Sequence, residues 1–443
     1  MATKVVSPNI KLMPVTATIE DAHLILGGCD TTELADHFGT PLWVMDYQTI
    51  VSAVNAVKSG LAGYPNSQIL YAGKAFLCLA MCHVVKKLGL GLDVVSEGEL
   101  HTALQAGVPT ENIYFHGNNK SDRELKLAVE NGIKIVVDSF SELSRLNEIA
   151  SVLGKHAYIL VRIIPGIEPD THDHIKTGHH GSKFGISIDD LDDFVGLAIS
   201  PWIRLLGLHA HIGSQTHDLE PFLEIVEVLA DLVVRVQQTY GTTLELIDVG
   251  GGLGIAYTVD DQPLGLQEWA KGMSSAVEAA FKKRLLPMPR LLLEPGRSIV
   301  GTAGVTLYTA GDVKPLPEGG CYVALDGGMA DNPRPATYNA LYTAVIANRM
   351  DAPPSDTKTT LVGKYCESGD IIIKDAGISA ETGDTIAVFG TGAYNYSMAS
   401  NYNRTGRPAC VLVDDGFAEV ILERETCDDL LRQDRVPGWL LKS

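Results

Sequence analysis

Several stretches of this sequence pass from an apolar run into a turn that carries a chemically able side chain. Lys74 ends Tyr71-Ala72-Gly73-Lys74, His209 and His211 flank Ala210, Asp248 leads into Gly250-Gly251-Gly252, and Glu294 opens Glu294-Pro295-Gly296-Arg297. A lysine amine withdrawn from water loses its proton more readily and becomes a nucleophile toward a carbonyl carbon, the chemistry of a Schiff base. Consecutive glycines present unencumbered backbone N–H groups, which is how a loop closes on a phosphate. His209 and His211, two apart on a strand, point to one face, where an imidazole can stack on a planar ring, and Gly213-Ser214 just after them can turn an N–H or hydroxyl toward an anion. Glu294 before a Pro-Gly turn is a rigidly placed carboxylate, and Arg297 is a fork for a second anion.

Taken singly, each feature has a plainer explanation: a surface lysine, a tight turn, a satisfied core histidine. A dinucleotide GxGxxG motif starting at Gly250 fails, because Ile255 stands where its last glycine is needed. Together, a Schiff-base lysine, a phosphate cradle, a stacking imidazole and a carboxylate against a pyridine nitrogen are what pyridoxal 5'-phosphate requires.

Eight short apolar runs must position these groups: Ile69 to Ala72, Leu92 to Val95, Ile113 to Phe115, Ile135 to Val137, Tyr158 to Ile163, Leu205 to His209, Leu244 to Val249 and Leu291 to Leu293. Between them, segments such as Ile50 to Leu61, Gly98 to Ala106, Ser121 to Asn131, Ser141 to Leu153 and Leu219 to Tyr240 carry apolar residues at helical spacing. The alternation predicts an α/β fold, a (β/α)8 TIM-type barrel over residues 47–300, whose strand ends collect functional groups on one face. The second strand begins at Asp93 and leads to Ser96 and Glu99, and the fifth carries Arg162, so Asp93, Glu99 and Arg162 are counted with the cofactor site. Past Gly301 the texture changes to short alternating runs broken by Gly and Pro, predicting an all-β domain over 301–443. Residues 1–46 carry similar runs (His23 to Leu26, Leu42 to Met45) and are expected to join it.

The chain has 443 residues, 45% hydrophobic and 20% charged, which permits two cores and disfavours disorder. A net charge of −19 with no basic run disfavours nucleic acid as a partner. No apolar signal-peptide core and no long uncharged apolar span are present, so no membrane partner and a cytoplasmic location are expected. The seven cysteines are odd in number and unpaired in spacing, and read as reduced thiols without a zinc site. His172, His174, His179 and His180 read as a polar loop, and no metal is expected.

The motifs YAGKAF around Lys74, LDVVSEGEL (92 to 100), SKFGI (182 to 186), HAHIGSQ (209 to 215), DVGGGLGI (248 to 255), EPGR (294 to 297) and CESGD (366 to 370) resemble fold-type III pyridoxal-phosphate-dependent decarboxylases over nearly the whole chain. DGGMADNPRPATY (326 to 338) and GAYNYSMASNYN (392 to 403) resemble the diaminopimelate decarboxylase family in particular. Glu97, where many relatives have a small residue, is the one departure noted in SEGEL. The resemblance implies that Lys74 forms the Schiff base with the cofactor, His211 stacks on its ring, Glu294 holds the pyridine nitrogen, and Ser214, Gly252 and Gly296 line the phosphate with Tyr394, Gly251 being counted with the cofactor site. It further implies that Cys366 protonates the product carbanion and that Arg297, Arg334, Tyr338, Glu367 and Tyr394 contact an amino-acid substrate. Cys366 and Glu367 would come from the other subunit of an obligatory homodimer. The implied reaction is decarboxylation of meso-2,6-diaminopimelate to L-lysine, the last step of lysine biosynthesis. Rival readings are a decarboxylase for carboxynorspermidine or a D-configured basic amino acid, a racemase on the same barrel, and a non-catalytic regulatory homologue.

Overall fold

The structure, a computed structural model, describes residues 11–167, 182–317, 319–355 and 357–441. The chain forms two compact units: Val51–Ile255 with Gln262–Ile299, and the N-terminal residues through Ile50 with Ala256–Asp261 and Val300 onward. Ala256–Asp261, inside the span expected to be barrel, clusters with the second of these. The histidines at 172, 174, 179 and 180 lie outside the described residues.

In the first unit eight parallel strands close on themselves: Ser67–Ala72, Gly91–Val94, Ile113–Phe115, Lys134–Val137, Ala157–Ile164, Ile203–Ala210, Leu246–Asp248 and Arg290–Leu293. Closure is made by Leu291–Leu293 pairing with Ser67–Ile69. All eight expected strands are present. Strands covered on both faces need apolar residues at successive positions rather than alternating ones, which is why runs such as Ile159-Leu160-Val161 are wholly buried. Leu70, Tyr114, Val136, Leu160, Leu246 and Leu292 fill the barrel as one contiguous cluster. The sixth strand approaches the seventh so closely at its register break that a Cβ on Gly207 would stand 2.0 Å from the Leu246 carbonyl oxygen.

The helices follow their apolar stripes. Glu220–Tyr240 buries Phe222, Ile225, Val226, Leu229, Ala230, Val233 and Val236 at three- and four-residue steps, and stops at Gly241 in the left-handed conformation. Asp122–Glu130 opens on a capping box between Ser121 and Glu124. No described helix is long and apolar enough to cross a membrane.

In the second unit Leu42–Asp46, buried at every residue, lies antiparallel to Gly304–Pro315 on one side and parallel to Ala409–Asp414 on the other. Thr359–Val362, Ile371–Ile373, Cys321–Leu325 and Phe417–Leu422 extend the sheet. His23–Leu26 instead pairs with Thr18–Glu20 and Cys29–Asp30 in a three-stranded sheet of its own. Leu24, Leu26, Leu42, Val44, Leu307, Phe389 and Val411 share one core.

An ion pair is buried beneath the ends of the third and fourth barrel strands. Lys120 Nζ donates to the Gly117 carbonyl at 2.6 Å, the Val136 carbonyl at 2.8 Å and Glu142 Oε1 at 2.8 Å, so all three ammonium protons have acceptors. Removing one partner of a buried pair strands the other charge, so Lys120→Met is expected to destabilise the barrel by about 3–5 kcal/mol, and Lys120→Met with Glu142→Leu by clearly less. Urea unfolding followed by far-ultraviolet circular dichroism checks both; equal losses would show that the carboxylate is not the reason.

Candidate active site

Parallel strands in a closed barrel all end on the same face, so their last residues meet there. Lys74 follows the first strand within a 3-10 turn, Gly73–Ala75. The Tyr71 hydroxyl donates to the Phe76 carbonyl at 2.7 Å and closes that turn. Asp93, expected to begin the second strand, is its third residue and fully buried. Glu99, on the following helix, accepts the Val95 N–H at 2.7 Å, and burial pushes its carboxyl up to about 7. Glu97 faces away, paired with Arg123 at 2.5 Å.

Glu294 is the electrostatic centre of this face. Its Oε1 is 2.8 Å from His116 Nε2 and its Oε2 is 3.4 Å from His209 Nε2, while the two imidazoles meet edge to face at 4.9 Å. Burial opposes the charge, but the two histidines outweigh it and hold the carboxyl well below its usual range. Asp93 and Asp248 go the other way: burial, reinforced by the charge on Glu294, raises both. Asp248 also accepts the Gly250 N–H at 2.9 Å. Burial lowers His209 to about 4, against the pull of Glu294. Neighbouring acids are thus driven apart, and Glu294 is the one that stays ionised.

His211 Nδ1 accepts the Gly251 N–H at 3.3 Å, which leaves the ring proton on Nε2. Burial, then the positive charges of Lys74 and Arg162, hold this imidazole well below 6.5, so it is neutral. The triple glycine threads between two main chains: a Cβ on Gly251 would stand 2.0 Å from the Glu294 carbonyl oxygen, and one on Gly252 2.3 Å from that of Gly213. Gly252 also has a φ of +111°, accessible only to glycine. Arg297 donates to Ser214 Oγ from Nη2 at 3.0 Å and Nε at 3.3 Å. Ser214, Gly250 to Gly252 and Arg297 are therefore gathered where the sixth, seventh and eighth strands end, with Gly296 set against Ala72 after the first.

Two residues of this face were missed among the expected site residues. His116 follows the third strand and Asp138 the fourth, and both carry the signal used elsewhere, a polar residue directly after an apolar run. Asp138 Oδ1 accepts the Gly185 N–H at 3.0 Å and stands 4.0 Å from Arg162 Nε, while the Arg162 guanidinium lies 4.5 Å over the Phe184 ring. SKFGI is thereby tied to the fourth and fifth strands.

The other expected residues belong to the β unit. Arg334 is buried, donates to the Tyr342 hydroxyl at 2.7 Å, and lies 4.7 Å over the Tyr257 ring, so its partners among the described residues are tyrosines. Tyr338 ends the short helix Arg334–Tyr338. Cys366 and Glu367 are exposed, and the Tyr402 hydroxyl donates to Glu367 Oε1. Asp370 fastens their loop by accepting the N–H groups of Met329 at 2.7 Å and Tyr365 at 2.9 Å. Tyr394 sits at a φ of +63°.

Residues 47–301 match the family model described as pyridoxal-dependent decarboxylase, pyridoxal binding domain. Diaminopimelate decarboxylase of Synechocystis sp. is 46% identical over 98% of this chain and 95% of its own length, and that of Bacillus subtilis is 43% identical over 94% and 96%. The crystal structure of diaminopimelate decarboxylase from M. jannaschii in co-complex with L-lysine superposes with a TM-score of 0.90 at 36% identity, covering 96% of this chain and 99% of the other. The chain belongs to the pyridoxal-dependent decarboxylases, and within them to the diaminopimelate decarboxylases.

Proposed function

We propose that the chain removes CO2 from meso-2,6-diaminopimelate and releases L-lysine, with pyridoxal 5'-phosphate held on the C-terminal face of its barrel. The observation that carries this reading is the ionised, buried Glu294 facing the same enclosure as Lys74, a neutral His211 and a glycine loop with no room for a Cβ. These residues fit the cofactor's three ends. Glu294 takes the protonated ring nitrogen, and the N–H groups at Gly252 and Gly296 take the phosphate together with Ser214, Arg297 and Tyr394, while Gly251 packs beside them with its N–H on His211. His211 covers a ring face without adding positive charge. Lys74 supplies the amine that holds the cofactor covalently, with Asp93, Glu99 and Arg162 setting the charge around it. When bound, pyridoxal phosphate acts as the electron sink for the carbon that loses CO2.

Substrate reading is assigned to the β unit. Diaminopimelate carries a carboxylate and an ammonium at its far end. Arg334 with Arg297 takes the carboxylate, Tyr338 adds a donor, Tyr394 contacts the substrate, and Glu367 pairs with the ammonium. A buried arginine whose described partners are tyrosines supports this role, because it retains donors for an incoming anion. Cys366 Sγ delivers the proton to the carbon that lost CO2. Its exposure, with that of Glu367, supports a homodimer in which the pair completes the partner's site. The location inferred is the cytoplasm.

Incubating the purified protein and cofactor with meso-diaminopimelate tests the reaction directly: CO2 and L-lysine are expected in equal amounts, and racemised substrate without CO2 would refute it. Lys74→Ala is expected to abolish the visible cofactor absorbance band and nearly all turnover. Cys366→Ala should keep that band but turn over ~10²- to 10⁴-fold more slowly, the typical worth of a positioned proton donor. Arg334→Ala should lower kcat/KM for meso-diaminopimelate by roughly 10²-fold or more while changing that for D-lysine much less, since only the former presents a distal carboxylate. Equal losses on both substrates would remove Arg334 from recognition.

A further inference from the structure

We propose that His116 is a positioning residue for the cofactor, fixing the Glu294 carboxylate in its anionic form so that it accepts the pyridine N–H. The inference rests on the barrel face being a pyridoxal-phosphate site and assigns the task to a side chain beyond those expected to touch the cofactor.

The geometry is specific to Glu294. His116 is the first residue past the third strand, and its N–H donates to the Val94 carbonyl at 2.8 Å, which fixes its backbone against the second strand. From there Nε2 reaches Glu294 Oε1 at 2.8 Å, closer than His209 approaches Oε2 at 3.4 Å. The same Nε2 is 3.8 Å from Asp93 Oδ1, so the imidazole stands between two buried carboxyls. An apolar residue in its place would leave Asp93 and Glu294 facing one another, a pairing that two buried carboxyls relieve by retaining a proton.

The remaining groups around Glu294 do not replace it. Asp248, on the seventh strand, and Asp93, on the second, bring no positive charge and are themselves pushed toward protonation by burial and by the charge on Glu294. His209 and His211, on and just past the sixth strand, are uncharged at neutral pH. Arg162, on the fifth, is turned to Asp138 and Phe184. Tyr114, beneath on the third, has its hydroxyl directed to Gln68. His116 Nε2 stands 2.8 Å from Glu294 Oε1, nearer than the other imidazole that faces this carboxylate.

The expected sign follows. Without His116 the pH at which Glu294 binds a proton rises, so the anion needed by the ring nitrogen is lost first on the acid side. The test uses the whole protein with pyridoxal phosphate labelled with ¹⁵N in the ring. In the parent the ring ¹⁵N resonance is expected at the protonated position at both pH 6 and pH 8. In His116→Leu it should move toward the unprotonated position at pH 6, and cofactor Kd should rise about tenfold, the equivalent of one pKa unit, with a smaller rise at pH 8. His116→Gln, which keeps an N–H donor, should restore both readouts. Should His116→Leu not fold, by circular dichroism, His116→Ala takes its place with the same expectations.

A folded Leu or Ala variant with the parent's resonance and Kd at both pH values would overturn the proposal while leaving the cofactor site intact. One equivalent of zinc retained by the cofactor-free parent after dialysis against EDTA would overturn it too, since His116 would then serve a metal. A parent that binds no pyridoxal phosphate would overturn the underlying functional reading and this inference with it, and is told apart by the parent measurement alone.

Discussion

A buried carboxylate that must stay charged sets the terms for this barrel. Taking such a group out of water costs several kcal/mol unless the surroundings answer it, and the surroundings of Glu294 do so from several directions. Two imidazoles face its two oxygens, and the neighbouring aspartates are pushed toward protonation. A barrel is suited to this because each strand delivers one side chain to the common face, so acids, bases and cations can be placed independently. The Gly250 loop follows from the same constraint: its main chain runs so close to the Glu294 carbonyl that the carboxylate's backbone and the glycine loop are held by each other.

The barrel was legible because parallel strands covered on both faces are written as continuous apolar runs, and eight such runs separated by helical periods have few other solutions. Lys74, His211, the triple glycine and Glu294 were legible for a related reason, since each begins within two residues of the end of one of those runs. His116 and Asp138 obey the same rule and went unlisted only because a single polar residue after a three- or four-residue strand stands out less than a glycine motif. Asp93, expected to begin the second strand, is its third residue and lies within it. What was not legible is contact between distant residues: nothing local in the chain says that Lys120 will pair with Glu142, or that the Arg162 guanidinium will lie on Phe184.

In the proposed reaction the two units divide the work: barrel residues hold the cofactor and β-unit residues read the far end of the substrate. In the β unit the informative feature is Arg334, buried on tyrosine faces that attract its charge electrostatically and hold its planar fork in place. A lysine there would keep the charge but lose the planar fork and the stacking that aims it.

The strand Leu42–Asp46 has a bearing on how the chain is made. Trp43 pairs with Thr306 and Cys410, both of which are synthesised only after the whole barrel. Until then an apolar segment buried at every residue in the finished protein has neither of its neighbours. The barrel's contacts are mostly between adjacent strands and can form during synthesis, whereas the β sheet closes last around a strand that has waited. The unpaired edges of Leu42–Asp46 thus leave the growing chain vulnerable to intermolecular pairing until Gly304–Pro315 and Ala409–Asp414 have been made and take their places beside it.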